Sequence, residues 1–112
     1  AIVPVIAHMG GETPRMPKGL SARCSRGITN VEFNRHPHSV ATSFAVYRVS
    51  GAGFDPAELE DGRNLLACVR ADELSVRQSV QVEGIDRGEW IVVTALDRLW
   101  NESEPSKAKR VR

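Results

Sequence analysis

From residue 18 onward, apolar and polar residues change places at every second position, in runs short enough for turn residues to separate them. Leu20, Ala22 and Cys24 alternate with Ser21 and Arg23. Thr29, Val31 and Phe33 alternate with Asn30 and Glu32. Phe44 and Val46 alternate with Ala45 and Tyr47 in a run that ends at Val49. A period of two lines one face of an extended strand, so strands are predicted over 20–24, 29–33 and 44–49. Four more follow. The stretch 64–70 is short, and 76–82 has Val76, Val80 and Val82 as its apolar positions. Residues 90–96 are rich in β-branched side chains and form the strongest strand, whereas 105–111 is polar and basic. Ser25-Arg26-Gly27, the Pro37 region, Ser50-Gly51-Ala52-Gly53 and 84–88 supply the turns. Asp55-Pro56-Ala57-Glu58 places a capping residue before a proline and an acid at the third helical position, which predicts a single helical turn closed at Asp61-Gly62. Seven strands at roughly 8–14-residue spacing, with no long helix, predict an all-β sandwich or barrel over residues 18–112.

The first seventeen residues read differently. Pro4, Pro14, Pro17 and the Gly10-Gly11 pair mark 1–17 as an interdomain linker or leader. Its front is apolar, so it is expected to lie against this domain or a neighbour. Ile2 to Met9 carries Pro4 and His8 and has no basic lead, which fits neither a signal peptide nor a membrane span. The chain is therefore expected to be a piece of a longer protein.

Composition narrows the chemistry. The 112 residues are 41% hydrophobic and 26% charged, with 15 basic against 14 acidic side chains. That near balance excludes a globally basic nucleic-acid binder, and neither nucleic acid nor membrane insertion is expected. Cys24 and Cys68 are too few for a disulfide scaffold or a four-ligand zinc site; buried free thiols are expected rather than one bridge. His36-Pro37-His38 is a weak ligand set without a cysteine or carboxylate at zinc-like spacing, so no metal and no other cofactor is expected. Asp55, Glu58, Glu60 and Asp61 form an acidic loop. Acid–base chemistry needs two carboxyls in opposed environments, which a short solvated loop does not supply, so no catalytic residue is assigned. Asp97, Asn101 and Ser103 suit a structural turn in which short polar side chains bond nearby amides. Lys107, Lys109, Arg110 and Arg112 form a basic tail whose charges protect a sheet edge; contact with a nucleic acid or a membrane would rest on those four residues alone.

The order of these segments resembles a known family. Pro17-Lys18-Gly19-Leu20-Ser21-Ala22 is similar to the opening of a fibronectin type III domain. Val31-Glu32-Phe33 resembles its second strand, with Phe33 where the family usually has tryptophan, and Phe44-Ala45-Val46-Tyr47-Arg48 resembles its third. The closing stretch from Val92 through Ala95-Leu96-Asp97-Arg98-Leu99-Trp100-Asn101-Glu102-Ser103 to Ser106 resembles the C-terminal fibronectin-like module of bacterial glycosyl-hydrolase-like family 10 proteins. Ala1 to Ile6 resembles the segment by which those proteins leave their TIM barrel. The resemblance implies a seven-stranded, immunoglobulin-like β-sandwich with strands one, two and five facing three, four, six and seven. The expected core is Leu20, Val31, Phe33, Phe44, Val46, Ile91, Val93 and Ala95. One position departs from the pattern. The family opens its sixth strand with a tyrosine that bonds back to the preceding corner, and here that place is Glu89, so the tyrosine corner is either absent or replaced by a carboxylate contact.

The same alignment sets an expectation for contact surfaces. If strands three and six are neighbours, Tyr47, Val49, Trp90, Val92 and Leu96 share the outer face of one sheet. They would form an apolar interaction patch, unless loop 51–63 or the leader covers it. Tyr47, Trp90 and Trp100 are the alternative candidates for stacking on a glycan. Asn101-Glu102-Ser103 spells a glycosylation sequon, which the bacterial resemblance discounts. The resemblance implies a non-catalytic accessory module of an exported, glycan-acting protein of the cell envelope, periplasm or outer-membrane surface. Its expected partner is the TIM-barrel domain upstream in the same parent chain, with a glycan or an envelope protein as alternatives.

Overall fold

The computed structural model describes residues 14–36, 41–72 and 75–112. Seven strands form two antiparallel sheets: β1 (Lys18–Ser25), β2 (Ile28–Asn34), β3 (Ser43–Val49), β4 (Leu65–Arg70), β5 (Arg77–Val82), β6 (Trp90–Leu96) and β7 (Lys109–Arg110). One sheet has the order β1-β2-β5 and the other β4-β3-β6-β7. Most of the expected leader, residues 1–13, lies outside the described residues; its end, Pro14 and Pro17, is buried.

The alternation in the sequence becomes the shared core. Leu20, Ala22, Val31, Phe33, Val80 and Val82 from one sheet meet Phe44, Val46, Ile91, Val93 and Ala95 from the other in a single buried cluster. All eight expected core residues belong to it. Phe33 and Phe44 touch across the layers, with ring centroids 4.8 Å apart in an edge-to-face arrangement. Val76 is not part of this core. It precedes β5 and stands 48% exposed, and Gln78 takes the first buried place on that strand.

β3 and β6 run side by side in unbroken register from Ser43↔Leu96 to Val49↔Trp90. Both are flanked by further strands, and both bury side chains on their two faces. Between β3 and β4 lies a segment in which the expected helical turn is a 3-10 helix, Pro56–Glu60. Asp55 accepts from Ala57 N–H, and Glu58 reaches back to Asp55 N–H at 2.8 Å, a reciprocal capping box. A second 3-10 helix, Gly62–Asn64, follows directly, with Asp61 as its cap.

The last strand is much shorter than the expected 105–111. Pro105 has no N–H to donate, and two serines take over ladder positions along β6. Ser103 N–H donates to Ala95 O, and its hydroxyl accepts from Ala95 N–H at 2.9 Å. Ser106 does the same with Val93 O and Val93 N–H, again at 2.9 Å. Regular pairing resumes only at Ile91↔Lys109 and Trp90↔Arg110. Val111 then drops into the core at 1% exposure, and Arg112 crosses to the other sheet. It donates to Ala22 O and accepts from Cys24 N–H, straddling Arg23 as a parallel neighbour does. The C-terminal segment thus closes one side of the two-sheet stack.

Ser106→Ala and Ser103→Ala are each expected to cost about 1–3 kcal/mol, because a buried N–H of β6 loses the serine oxygen that accepts from it. Ser79→Ala, on the exposed face of β5, is expected to stay within about 0.5 kcal/mol. Urea unfolding of the three variants measures the difference.

Candidate functional site

The five residues expected to form an outer apolar patch do come together, but the chain itself covers them. Tyr47 and Val92 are fully buried, Leu96 and Val49 nearly so, and Trp90 is half-buried. Leu59 and Phe54, from the segment between β3 and β4, pack on them together with Ala108. The expected exposed patch is therefore corrected to a second, smaller core. The physical reason is that loop 51–63 carries two apolar side chains of its own, which gain more by lying on the sheet than by facing water. Those two residues were visible in the sequence as the apolar positions within an acidic loop.

Burial of Tyr47 creates a polar problem that Glu102 solves. The phenol donates to Glu102 Oε2 at 2.7 Å, and Thr94 Oγ1 donates to the same oxygen at 2.6 Å. Burial first, and then the Glu102 carboxylate, push the phenol well above its ordinary range. Leu96 and Glu102 also share a backbone bridge, so this carboxylate fastens the hairpin after β6 to the middle of β3. No sequence motif marks Glu102. Its role arises from two hydroxyls that the fold aims at one point.

The hairpin itself is built on Asp97. Oδ1 accepts from Leu99 N–H (2.8 Å) and Asn101 N–H (2.9 Å), and Oδ2 accepts from Asn101 Nδ2 (2.8 Å). Burial works against the charged carboxylate, but the side-chain and backbone donors of Asn101, the Leu99 amide and nearby Arg98 outweigh it and hold Asp97 below the usual carboxylate range. Asp97 and Asn101 thus form the expected turn. Ser103 does not: it belongs to the β6 ladder described above. Asn101 is only 2% exposed and its amide nitrogen is engaged, so the sequon is not presented to solvent.

Two large apolar residues stand at the tip of this hairpin, Leu99 at 58% and Trp100 at 60% exposure. Trp100 has φ +64°, a left-handed conformation that glycine or asparagine normally supplies and that strains a bulky residue. Of the candidate stacking trio, only Trp100 is fully available. Tyr47 is buried, and Trp90 sits at the opposite end of β6, roughly 20 Å away at 3.3 Å per residue. The three do not form one platform. Leu99 completes the tip; its signal in the sequence is an apolar pair inside a predicted loop.

The other candidates resolve into structural work. In the acidic loop, backbone donation from Asp55 and the Ser50 hydroxyl, more than offsetting desolvation, hold Glu58 below the usual range; Asp61 is lowered by Arg63, whose guanidinium lies 2.9 Å away. Glu89 realises the carboxylate version of the corner: its Oε2 accepts from Asp86 N–H at 2.6 Å, and its Oε1 lies 3.7 Å from Arg48 Nε. Both cysteines are free, but Cys68 is exposed on the outer side of edge strand β4 rather than buried. His36 is half-buried, and Pro37, His38 and His8 lie outside the described residues. Lys107, Lys109, Arg110 and Arg112 are all exposed.

No protein-family model matches this chain, and no curated protein sequence matches it. Among solved structures, the chain is similar to the crystal structure of an Fn3-like protein from Clostridium thermocellum. The identity is 22% and the TM-score 0.57, over 90% of this chain and 94% of that one. The likeness is one of fold: two antiparallel sheets of three and four strands in the fibronectin type III-like arrangement.

The Asp97 clasp carries a pH dependence. A carboxyl whose folded-state pKa lies below its ordinary value of about 4 stabilises the fold above that value and loses the contribution as pH falls through the lower, folded-state value. Asp97→Asn is expected to lose about 1–2 kcal/mol at pH 7, the worth of the charge-assisted bonds it weakens. The gap between the wild type and Asp97→Asn should narrow as pH drops below about 4, which urea titrations at a series of pH values would check.

Proposed function

We propose that this chain is a non-catalytic β-sandwich module of the fibronectin type III-like kind, whose work is contact made through the hairpin after β6. The observation that carries the reading is the Leu99–Trp100 tip. Two large apolar side chains are held in water, one of them in a strained backbone conformation, on a loop made rigid by Asp97 and Asn101. Strain at an exposed aromatic is a cost to the free module that a partner surface can offset. Tryptophan and arginine are the side chains that most often anchor interfaces, and Arg98 stands beside the pair.

The carboxylates support the non-catalytic half. Asp55, Glu58 and Asp61 cap 3-10 turns, Asp97 organises a hairpin, and Glu102 holds two hydroxyls. Each is engaged by donors that stabilise the fold. The context we propose is an exported bacterial glycan-acting protein of the cell envelope, with the tip seated on the upstream barrel domain of the same parent chain. Support for that context is the closing motif Ala95-Leu96-Asp97-Arg98-Leu99-Trp100-Asn101-Glu102-Ser103 and its resemblance to the fibronectin-like module of glycosyl-hydrolase-like family 10 proteins. A glycan taken by the open face of Trp100 is the second reading, favoured by that ring's exposure.

The isolated chain is expected to hydrolyse neither peptidoglycan fragments nor β-glucans; clear turnover would overturn the proposal. Trp100→Gly is expected to change stability by no more than about 1 kcal/mol, since relief of left-handed strain offsets glycine's backbone entropy. In the parent protein the same change should split one cooperative melting transition into two. A single unchanged transition there, together with shifts of Trp100 resonances on titration with a neutral oligosaccharide, would favour the glycan reading instead.

A further inference from the structure

The C-terminal crossing places positive charges together in a way the chain order does not announce. Arg112 pairs with the stretch of β1 around Arg23. Ala22 on one side of Arg23 and Val111 beside Arg112 both point into the core, so Arg23 and Arg112 point outward side by side on neighbouring strands, roughly 4.8 Å apart, and Arg110, two residues before Arg112, points outward on the same face. Like charges directly across neighbouring strands are destabilising. Among the described residues, ion pairs involve Arg48, Arg63 and Arg77, and none includes Arg23, Arg26, Arg110 or Arg112.

These four arginines and Lys109 border one groove of about 630 Å³. Its single acidic lining residue, Glu32, already accepts from Asn30 and Arg77. A chain with a formal net charge of +1 thus gathers five cations at one groove. The lining also holds Ser21, Ser25 and Gln81, which bond hydroxyls, and it contains no aromatic ring. Without a stacking platform the groove suits neither unpaired bases nor the faces of neutral sugars. Guanidinium forks suit carboxylate and phosphate oxygens.

We propose that this groove binds a hydroxylated anionic polymer, one that carries phosphate or carboxylate groups between hydroxyl-bearing units. The anion relieves the repulsion between Arg23 and Arg112, Arg110 adds a third cation on the same face, and the serine and glutamine side chains take the hydroxyls. This site is separate from the Leu99–Trp100 tip and does not depend on the reading of that tip.

The test titrates the chain with fluorescently labelled oligomers of galacturonate and of glycerol phosphate, with a neutral glucose oligomer as control. Binding of either anionic oligomer without the neutral one is expected, and which of the two binds identifies the source of the charge. With three or four contacts, affinity should fall roughly 20–50-fold between 50 and 200 mM salt, by the counterion-release slope for single strands. Arg23→Gln combined with Arg110→Gln should weaken binding at least tenfold, while Arg70→Gln, on the far edge strand β4, should leave it unchanged. Arg23→Gln alone should leave the melting temperature unchanged or raise it, because it removes a like-charge contact. The site is overturned by failure of both anionic oligomers to bind, by equal binding of the neutral one, by an equal loss in Arg70→Gln, or by a fall of several degrees in the melting temperature of Arg23→Gln.

Discussion

The pairing of β3 with β6 is the interaction on which the rest of this molecule depends. Seven consecutive register pairs join the two strands, and each strand buries side chains on both faces. Phe44, Val46, Ile91 and Val93 face the opposite sheet, while Tyr47, Val49, Val92 and Leu96 face the segment from Phe54 to Leu59. A slip by one residue would exchange these two sets. The inner set fills the space between the layers and the outer set is roofed by a short loop, so the two destinations differ in shape. That difference specifies a single register. It also fixes the start of the hairpin after β6, and with it the direction in which Leu99 and Trp100 leave the body of the molecule.

The opposite edge of β6 shows how a sheet can end without a regular strand. Proline at 105 rules out continuous pairing, and the serines at 103 and 106 restore it with hydroxyls. A serine oxygen can accept where a carbonyl would and still donate onward, as both do here to the next residue's carbonyl. The buried amides of β6 are satisfied, and a passing chain meets an interrupted ladder instead of a clean one. The segment then changes sheets, so Val111 and Arg112 link layers that the strand order alone would leave separate.

Alternation placed the core correctly because burial on one face has a two-residue period, and nothing else in the chain competes with it. The central strands were harder. Once both faces are buried, alternation tells inward from outward but does not reveal that the outward set is covered. Phe54 and Leu59 held that information, dispersed among acids and glycines in a segment with no period. The last strand was overextended for a similar reason: a polar run with Pro105 reads as an edge strand, and only the partner amides of Val93 and Ala95 show that Ser103 and Ser106 act as ladder groups. Glu102 and the pairing of Arg23 with Arg112 were illegible in principle, since each joins positions far apart in sequence through topology, without a motif. The Asp97–Asn101 clasp was legible because it is local, and an aspartate four residues before an asparagine can organise a turn by itself.

The two exposed features of the fold lie at different places and answer to different physics. At the tip, the free module bears backbone strain and unburied apolar area; at the groove, it bears electrostatic repulsion. Both are costs that a packed domain could avoid with ordinary substitutions, a glycine at 100 or a glutamine at 23. Neither cost supports the core, since Trp100 is a member of neither buried cluster and Arg23 points away from one. A fold that satisfies its buried Tyr47 with Glu102 and its β6 amides with two serines has the means to remove such conflicts. It leaves these two in place, on rigid elements and facing water, and the partners we propose, an apolar surface at the tip and an anion at the groove, are the groups whose chemistry would resolve each conflict.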